Sequence, residues 1–269
     1  MLVLGPVLLT AGYSLTTWDG IAAPRFVGAA NYLEALSSDE LSRAAQVTIV
    51  LAVTATTLLN LLGLSFAVLL NRPGKLSTVY RTVLFYPFVL SPIVVGFLWR
   101  TLLSQYGVVN TILGHFGVDS ISFLAFPNTA LASLIFVVIW QQLGFVMAVY
   151  LAALQGVPRE LTEAATLDGA SRWNAFRHVT LPMIAPAITI NVTAILVWSL
   201  REYDRVVGVT GGGPARSTES IAFLIVDLGF YRIRLGYASA VAVLFLLTVA
   251  TVSLLMVRVL RWNEARVHW

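Results

Sequence analysis

Cysteine is absent from all 269 residues, which excludes a disulfide framework, a thiolate metal site and a cysteine nucleophile. Charge is almost as scarce: Asp, Glu, Lys and Arg make up 11% of the chain, against about 25% in an ordinary soluble domain, while 58% of residues are hydrophobic. The 17 basic and 13 acidic side chains cannot cover that much apolar chain in water, so the remaining surface has to face lipid. The three histidines, His115, His178 and His268, are scattered, and neither HExxH nor GxSxG occurs, so neither a metal centre nor a hydrolase site is expected. Gly74-Lys75 runs into Leu76 without the rest of a phosphate-binding loop, and the chain therefore carries no ATPase site of its own. The net charge of +4 is spread along the chain instead of gathered beside aromatics, which excludes a nucleic-acid surface.

What the chain does have is long apolar runs, at roughly 2–18, 45–70, 83–103, 129–154, 183–203 and 237–257. A helix needs about 20 residues to cross hydrocarbon, and only a helix satisfies each backbone N–H and C=O within its own segment there. The strict alternation of an outer-membrane barrel is missing. An all-α membrane protein of six transmembrane helices, forming a single domain over 1–269, is the expected architecture. The run from Met1 to Trp18 has no basic flank and no small-residue cleavage site, so it does not read as a cleaved signal peptide. It is also short for a span, which points to a start further upstream.

The basic residues orient these spans. Arg72, Lys75, Arg81, Arg159, Arg172, Arg177, Arg258, Arg261 and Arg266 fall in 71–82, 155–182 and 258–269, nine cations in about fifty residues. The alternate loops, 19–43, 104–128 and 204–236, hold six in about eighty. Arg-rich short loops stay in the cytoplasm, so both termini are expected there. Trp18, Trp99, Trp140 and Trp262 are assigned to span ends, where indole rings favour the headgroup layer.

The most informative segment is Gly156–Pro182, GVPRELTEAATLDGASRWNAFRHVTLP. Pro158 suits the first turn of a helix, and Glu160 and Glu163 favour its N-terminal half through the helix dipole. Leu161, Ala164, Ala165 and Leu167 give that helix an apolar side. Gly169 breaks it, Ser171 can cap a second one, and Pro182 ends the second. Two short surface helices with a turn between them are predicted.

The run Glu163-Ala164-Ala165, then Asp168-Gly169-Ala170, Phe176 and Leu181-Pro182, resembles the EAA loop of binding-protein-dependent ABC importer permeases. Shorter echoes of the sugar-type members, related to the maltose and glycerol-3-phosphate systems, occur at 26–32, 81–87, 99–110, Val209–Pro214 with Thr218, and Gly236–Ala240. The resemblance implies a type I ABC importer permease fold and a transport subunit, not an enzyme. It further implies a second six-span permease, two cytoplasmic ATPase subunits that bind ATP and Mg, and an extracytoplasmic solute-binding protein, with no cofactor on this chain. In that family the EAA loop is a coupling helix docked on the ATPase. Glu160, Leu161, Glu163, Ala164, Ala165, Asp168, Gly169 and Ala170 would make that contact here.

A sugar crossing lipid needs polar and aromatic partners on the spans. Asn60, Gln141, Gln142, Tyr150, Asn191, Thr193, Trp198 and Ser199 qualify, with Glu202 and Tyr203 at the end of the fifth run. Each of these can equally be packing glue between helices, and the run Gly211-Gly212-Gly213-Pro214 can equally be a plain turn. Arg201, Glu202, Asp204 and Arg205 form either a self-neutralising cluster or a gate. Arg201 would also suit an anionic solute such as glycerol-3-phosphate. An ion-coupled secondary transporter is the competing class, but the span centres carry no Asp, Glu, Lys or His for a relay.

Overall fold

The computed structural model describes the backbone of residues 4–265 and the side chains of residues 4–260. Arg261, Trp262, Arg266 and His268 lie outside the described side chains. Among the described residues the chain is helical except for one two-stranded ladder and loops. In order the elements are α1 (Leu4–Tyr13), β1 (Thr16–Thr17), β2 (Arg25–Phe26), α2 (Ala30–Leu36), α3 (Asp39–Leu70), α4 (Lys75–Val89), α5 (Pro92–Leu102), α6 (Val108–His115) and α7 (Pro127–Gln155). They continue as α8 (Arg159–Leu167), α9 (Arg172–Ala175), α10 (Leu181–Met183), α11 (Ala185–Leu200), α12 (Ile221–Val226) and α13 (Leu235–Ala265). Single π-helical turns occupy Phe176–Thr180, Val206–Thr210 and Asp227–Tyr231.

Three helices are long and apolar enough to cross a bilayer alone: α3 with 32 residues, α7 with 29 and α13 with 26 over Leu235–Leu260. Two more stretches qualify only as pairs, α4 with α5, and Arg172–Met183 with α11. The run at 83–103, expected to be continuous, breaks at Leu90–Ser91. Proline at 92 pushes the residue before it out of the α region, and Leu90 already has φ −73° and ψ 149°. The break leaves the Leu90 carbonyl without its helical donor, and Gln141 Nε2 donates to it at 2.9 Å. The run at 2–18 likewise yields a helix only over Leu4–Tyr13. Asn31 Nδ2 donates to the carbonyls of Ser14 and Thr16 at 2.8 and 2.9 Å, and this holds the following residues extended so that Thr16 and Thr17 pair with Phe26 and Arg25. Trp140 sits thirteen residues into α7, counting from Pro127, and so is not at a span end.

The chain forms two compact units. One comprises the chain up to Ala52, Pro92–Val137 and Trp198–Val252; the other comprises Val53–Ser91, Val138–Val197 and the chain from Ser253 on. In the first, Ala35, Ala44, Leu224, Leu228, Tyr237 and Val241 form a buried core. The start of α13 is drawn onto the strand segment, where Gly236 N donates to Trp18 O at 2.9 Å. Also in this unit, α5 crosses the Val206–Thr210 turn at a glycine pair, and a Cβ on Gly96 would lie 2.8 Å from Gly208 Cα. In the second unit, α3 and α7 share a core of Leu59, Ala67, Val146, Tyr150 and Leu154 with Ile184 and Ile195. Here α4 lies against α7 through Gly144, where any Cβ would collide with the backbone of Leu84 and Phe85. Small residues at such crossings let helix backbones approach in lipid, where hydrophobic burial supplies little drive between helices.

Two stability outcomes follow from this packing. Gly144→Val forces α4 away from α7 and should cost about 1–3 kcal/mol, seen as a lower thermal-aggregation midpoint of the detergent-solubilised protein. Gln141→Leu strands the Leu90 carbonyl and should cost about 1–3 kcal/mol. The same assay should show the wild-type midpoint for Gln105→Leu, since Gln105 is an exposed residue.

Candidate coupling loop and solute path

The segment between α7 and α11 belongs wholly to the second unit. Pro158 caps the start of α8 with φ −59° and ψ 130°, and Glu160 occupies the first turn. The helix ends at Asp168. Gly169 takes φ +85°, a left-handed conformation that glycine adopts without a Cβ penalty. Ala170 N then donates to Ala165 O at 2.9 Å and Gly169 N to Thr166 O at 3.1 Å. These two bonds are the paired closures of a Schellman motif, which satisfies carbonyls that the helix end would otherwise orphan. Ser171 starts the next turn, its Oγ accepting from Asn174 N at 3.3 Å. The Asp-Gly-Ala-Ser string is thus a helix stop and a helix start placed back to back.

The second arm of this hairpin continues through α9, the π-helical turn at Phe176–Thr180 and α10. The stretch Arg172–Met183 meets α11 at a bend of 67°. Ala175 is buried under this arm, and Trp173 stacks on Phe176 with ring centroids 5.9 Å apart. The hairpin presents an uncovered surface: Glu160, Glu163, Ala164, Asp168 and Gly169 are exposed, and Ala165 and Ala170 are half-buried. Leu161 is 46% exposed, Leu167 89% and Trp173 65%. Large apolar side chains mixed with carboxylates on one exposed hairpin have the composition of a protein-binding patch.

The polar residues on the spans fall into separate groups. In the second unit, Tyr150 OH donates to Asn60 Oδ1 at 2.5 Å, and Asn60 Nδ2 donates to Thr56 O at 2.7 Å. Asn191 Nδ2 donates to Val146 O at 3.2 Å, while its Oδ1 is buried without a hydrogen-bond partner. Thr193 Oγ1 is in the same state. Gln141 is engaged at the α4 break described above, and Gln142 is buried.

In the first unit, Trp198 is 37% exposed and Ser199 Oγ is buried without a hydrogen-bond partner. Glu202 and Arg205 form a buried ion pair at 3.1 Å, and Glu202 Oε1 also accepts from the Arg205 backbone N–H at 3.2 Å. Arg201 and Asp204 are exposed. Tyr203 faces Phe223 across 6.3 Å and, with Gly211, Asp227 and Tyr231, lines a cavity of about 280 Å³. The neighbouring glycine run is braced rather than loose: the buried Thr218 Oγ1 lies 2.8 Å from Gly213 O and 2.7 Å from Thr210 Oγ1.

Three features of the first unit are not apparent from residue type alone. Asn110 Nδ2 donates to the carbonyls of Ser104, Gln105 and Ile121, and its Oδ1 accepts from Ile121 N, which closes the loop around α6. Arg232 holds Glu40 in a two-pronged pair at 2.9 and 2.6 Å and also bonds Asp227, while Arg216 pairs with the same Glu40. Burial pushes the Glu219 carboxyl up, and the nearby Arg216 guanidinium pulls it back down. Glu40 lies 176 and 192 residues from Arg216 and Arg232 along the chain, so only tertiary contact joins them.

Comparison with known proteins bears directly on this arrangement. Residues 59–269 match the family described as binding-protein-dependent transport system inner membrane component. The chain is 30% identical to a probable starch degradation products transport system permease protein of Thermoanaerobacterium thermosulfurigenes, over 98% of this chain and 90% of that one. It is 33% identical to a trehalose/maltose transport system permease protein of Thermococcus litoralis, over 89% of this chain and 81% of that one. Among solved structures, it superposes with a TM-score of 0.82 and 25% identity on a chain of a bacterial ABC transporter involved in import of the acidic polysaccharide alginate, covering 100% of this chain and 91% of that one. The fold is that of ABC importer permeases, and the chain belongs to the family of binding-protein-dependent transport system inner membrane components.

Proposed function

We propose that this chain forms half of the translocation path of an ATP-driven importer for a sugar or oligosaccharide, and that α8 and the turn after it are its coupling element. The observation that carries the reading is the exposed hairpin at Pro158–Pro182, whose Schellman closure at Gly169 fixes a carboxylate-bearing, partly apolar surface outside the apolar spans. Glu160, Leu161, Glu163, Ala164, Ala165, Asp168, Gly169 and Ala170 then dock on a cytoplasmic ATPase, one of two that bind ATP and Mg. Closing of that pair moves α8, and the helical arm through Phe176–Met183 passes the displacement to α11 as a rigid body. A second six-span permease and an extracytoplasmic binding protein complete the assembly in a bacterial plasma membrane. Both termini lie in the cytoplasm, as the arginine-rich loops favour.

The names of the relatives support carbohydrate as the solute class. Glu202 neutralises the buried Arg205, so the cation that would suit a phosphorylated polyol instead is the exposed Arg201. Gln141, Tyr150, Asn191, Trp198, Ser199, Glu202 and Tyr203 are the residues assigned to the path. Of these, Tyr150 and Asn191 are the best placed, because they combine a buried aromatic hydroxyl with an amide oxygen that lacks a partner.

Two experiments test the reading. Gly169→Val places a β-branched residue in the left-handed region at a cost of about 1–2 kcal/mol. Together with Glu163→Ala it should cut uptake and solute-stimulated ATP hydrolysis by roughly tenfold, with membrane insertion unchanged. Wild-type coupling in both variants, or uptake that collapses with an uncoupler but survives ATP depletion, would sink it. Asn191→Leu removes the amide and should raise the KM for solute by about tenfold, the effect of one lost hydrogen bond in a dry site, while ATPase activity without solute stays at the wild-type level. An unchanged KM would remove Asn191 from the path.

A further inference from the structure

Within the second unit, α4 and α7 enclose a groove of about 520 Å³. The two helices run antiparallel, with Gly144 against Leu84–Phe85 and Gln141 reaching Leu90. Consequently the start of α4 and the end of α7 lie at the same end of the groove, beside the loops at 71–74 and 156–158. Apart from the Tyr86 hydroxyl, the polar lining is at that end: Arg81 and Thr82 from α4, Gln155 from α7. The rest is apolar, principally Phe85, Tyr86, Val89, Met147 and Leu151. From Arg81 to Val89 the groove follows α4 for eight residues, about 12 Å at the helical rise.

Arg81 is held in place at the mouth. Its Nη2 donates to the carbonyls of Leu70 at 2.5 Å and Arg72 at 3.3 Å, at the C-terminal end of α3. Its Nε is buried and makes no hydrogen bond, and its Nη1 makes none among the described residues. Arg72 in the adjoining loop and Lys75 at the start of α4 stand exposed. A fixed guanidinium with unused donors, two neighbouring cations and a long apolar slot behind them has the polarity of an anionic amphiphile. A sugar, which carries hydroxyls on all sides, would find few hydrogen-bond partners along Val89, Met147 and Leu151.

We propose that this groove binds an anionic phospholipid, with the phosphate on Arg81 at the membrane boundary and an acyl chain along α4 and α7. Cationic pockets between membrane helices at that level recognise lipid headgroups by charge and tail by shape. The site is independent of the solute carried, so it stands or falls separately from the proposed function.

The test uses the full-length protein with the subunits that co-purify with it, reconstituted in nanodiscs with equal parts phosphatidylglycerol and phosphatidylcholine and released into a native mass spectrometer. Wild type should retain phosphatidylglycerol over phosphatidylcholine by about fivefold, the factor expected of one cation at a membrane surface. Arg81→Gln should abolish that preference, and Ala148→Trp, which fills the slot without touching the Arg81 bonds, should reduce retention of both lipids. A photoreactive side chain at Tyr86 should give an adduct with the mass of the anionic lipid. Equal retention of the two lipids by wild type, retention unchanged by Ala148→Trp, or a Tyr86 adduct to a second permease chain would each overturn the proposal. If Arg81→Gln fails to fold, the other two measurements still decide.

Discussion

A backbone carbonyl that loses its helical donor inside a membrane protein has no water to turn to, and leaving it bare costs several kcal/mol. Much of the polar architecture here answers that constraint. The break after α4 exists because Pro92 cannot tolerate a helical predecessor, and Gln141 supplies the donor that the break removed. In the loops between the spans, Asn31 binds carbonyls after α1, Asn110 those around α6 and Thr218 that of Gly213. Buried polar side chains in such a protein are therefore repairs first. A residue becomes a candidate for solute contact when some of its hydrogen-bonding capacity is left over, as with the Asn191 amide oxygen and the Ser199 hydroxyl.

The same constraint explains why the coupling hairpin can be short and still well defined. The C-terminal end of α8 is closed within the segment itself by the Gly169 Schellman pair, and Pro158 stands at its start. Nothing else has to cover it, so its outer surface remains available, with Leu167 and Trp173 exposed. On the proposed reading, that combination of local rigidity and open surface is what a coupling element requires: it transmits displacement only if it does not deform when pushed. The arm through Phe176–Met183 leads directly into α11, so a push on α8 reaches a buried helix without crossing a flexible linker.

How much of this was legible beforehand varies by element. The hairpin was, down to the roles of Gly169 and Ser171, because helix stops and starts are local chemistry; Pro182, expected to end the second arm, instead lies in the first turn of α10, where a proline N–H would be unpaired anyway, and the arm bends only after Met183. The membrane-crossing helices α3, α7 and α13 were also legible, since each is a single long apolar run. The first and third runs were less so. Hydropathy counts apolar residues but does not register that Asn31 holds the chain after Tyr13 extended, or that Pro92 interrupts a run whose composition never changes. The Trp140 assignment to an interface failed for a related reason, as an indole in the middle of a long helix looks the same in sequence as one at its end.

By itself the sequence determined the solvent, the helical class, the two-armed surface loop and the family resemblance, all of which rest on composition or on the order and spacing of residues along the chain. Only the tertiary structure decided which polar side chains are engaged and which retain a free group. It also joined Glu40 to Arg216 and Arg232, 176 to 192 residues away, and enclosed a cation-mouthed groove with α4 and α7. The physical reason is that hydrogen-bond capacity is consumed pairwise in space, and the partner that consumes it lies at a sequence distance that no local pattern encodes.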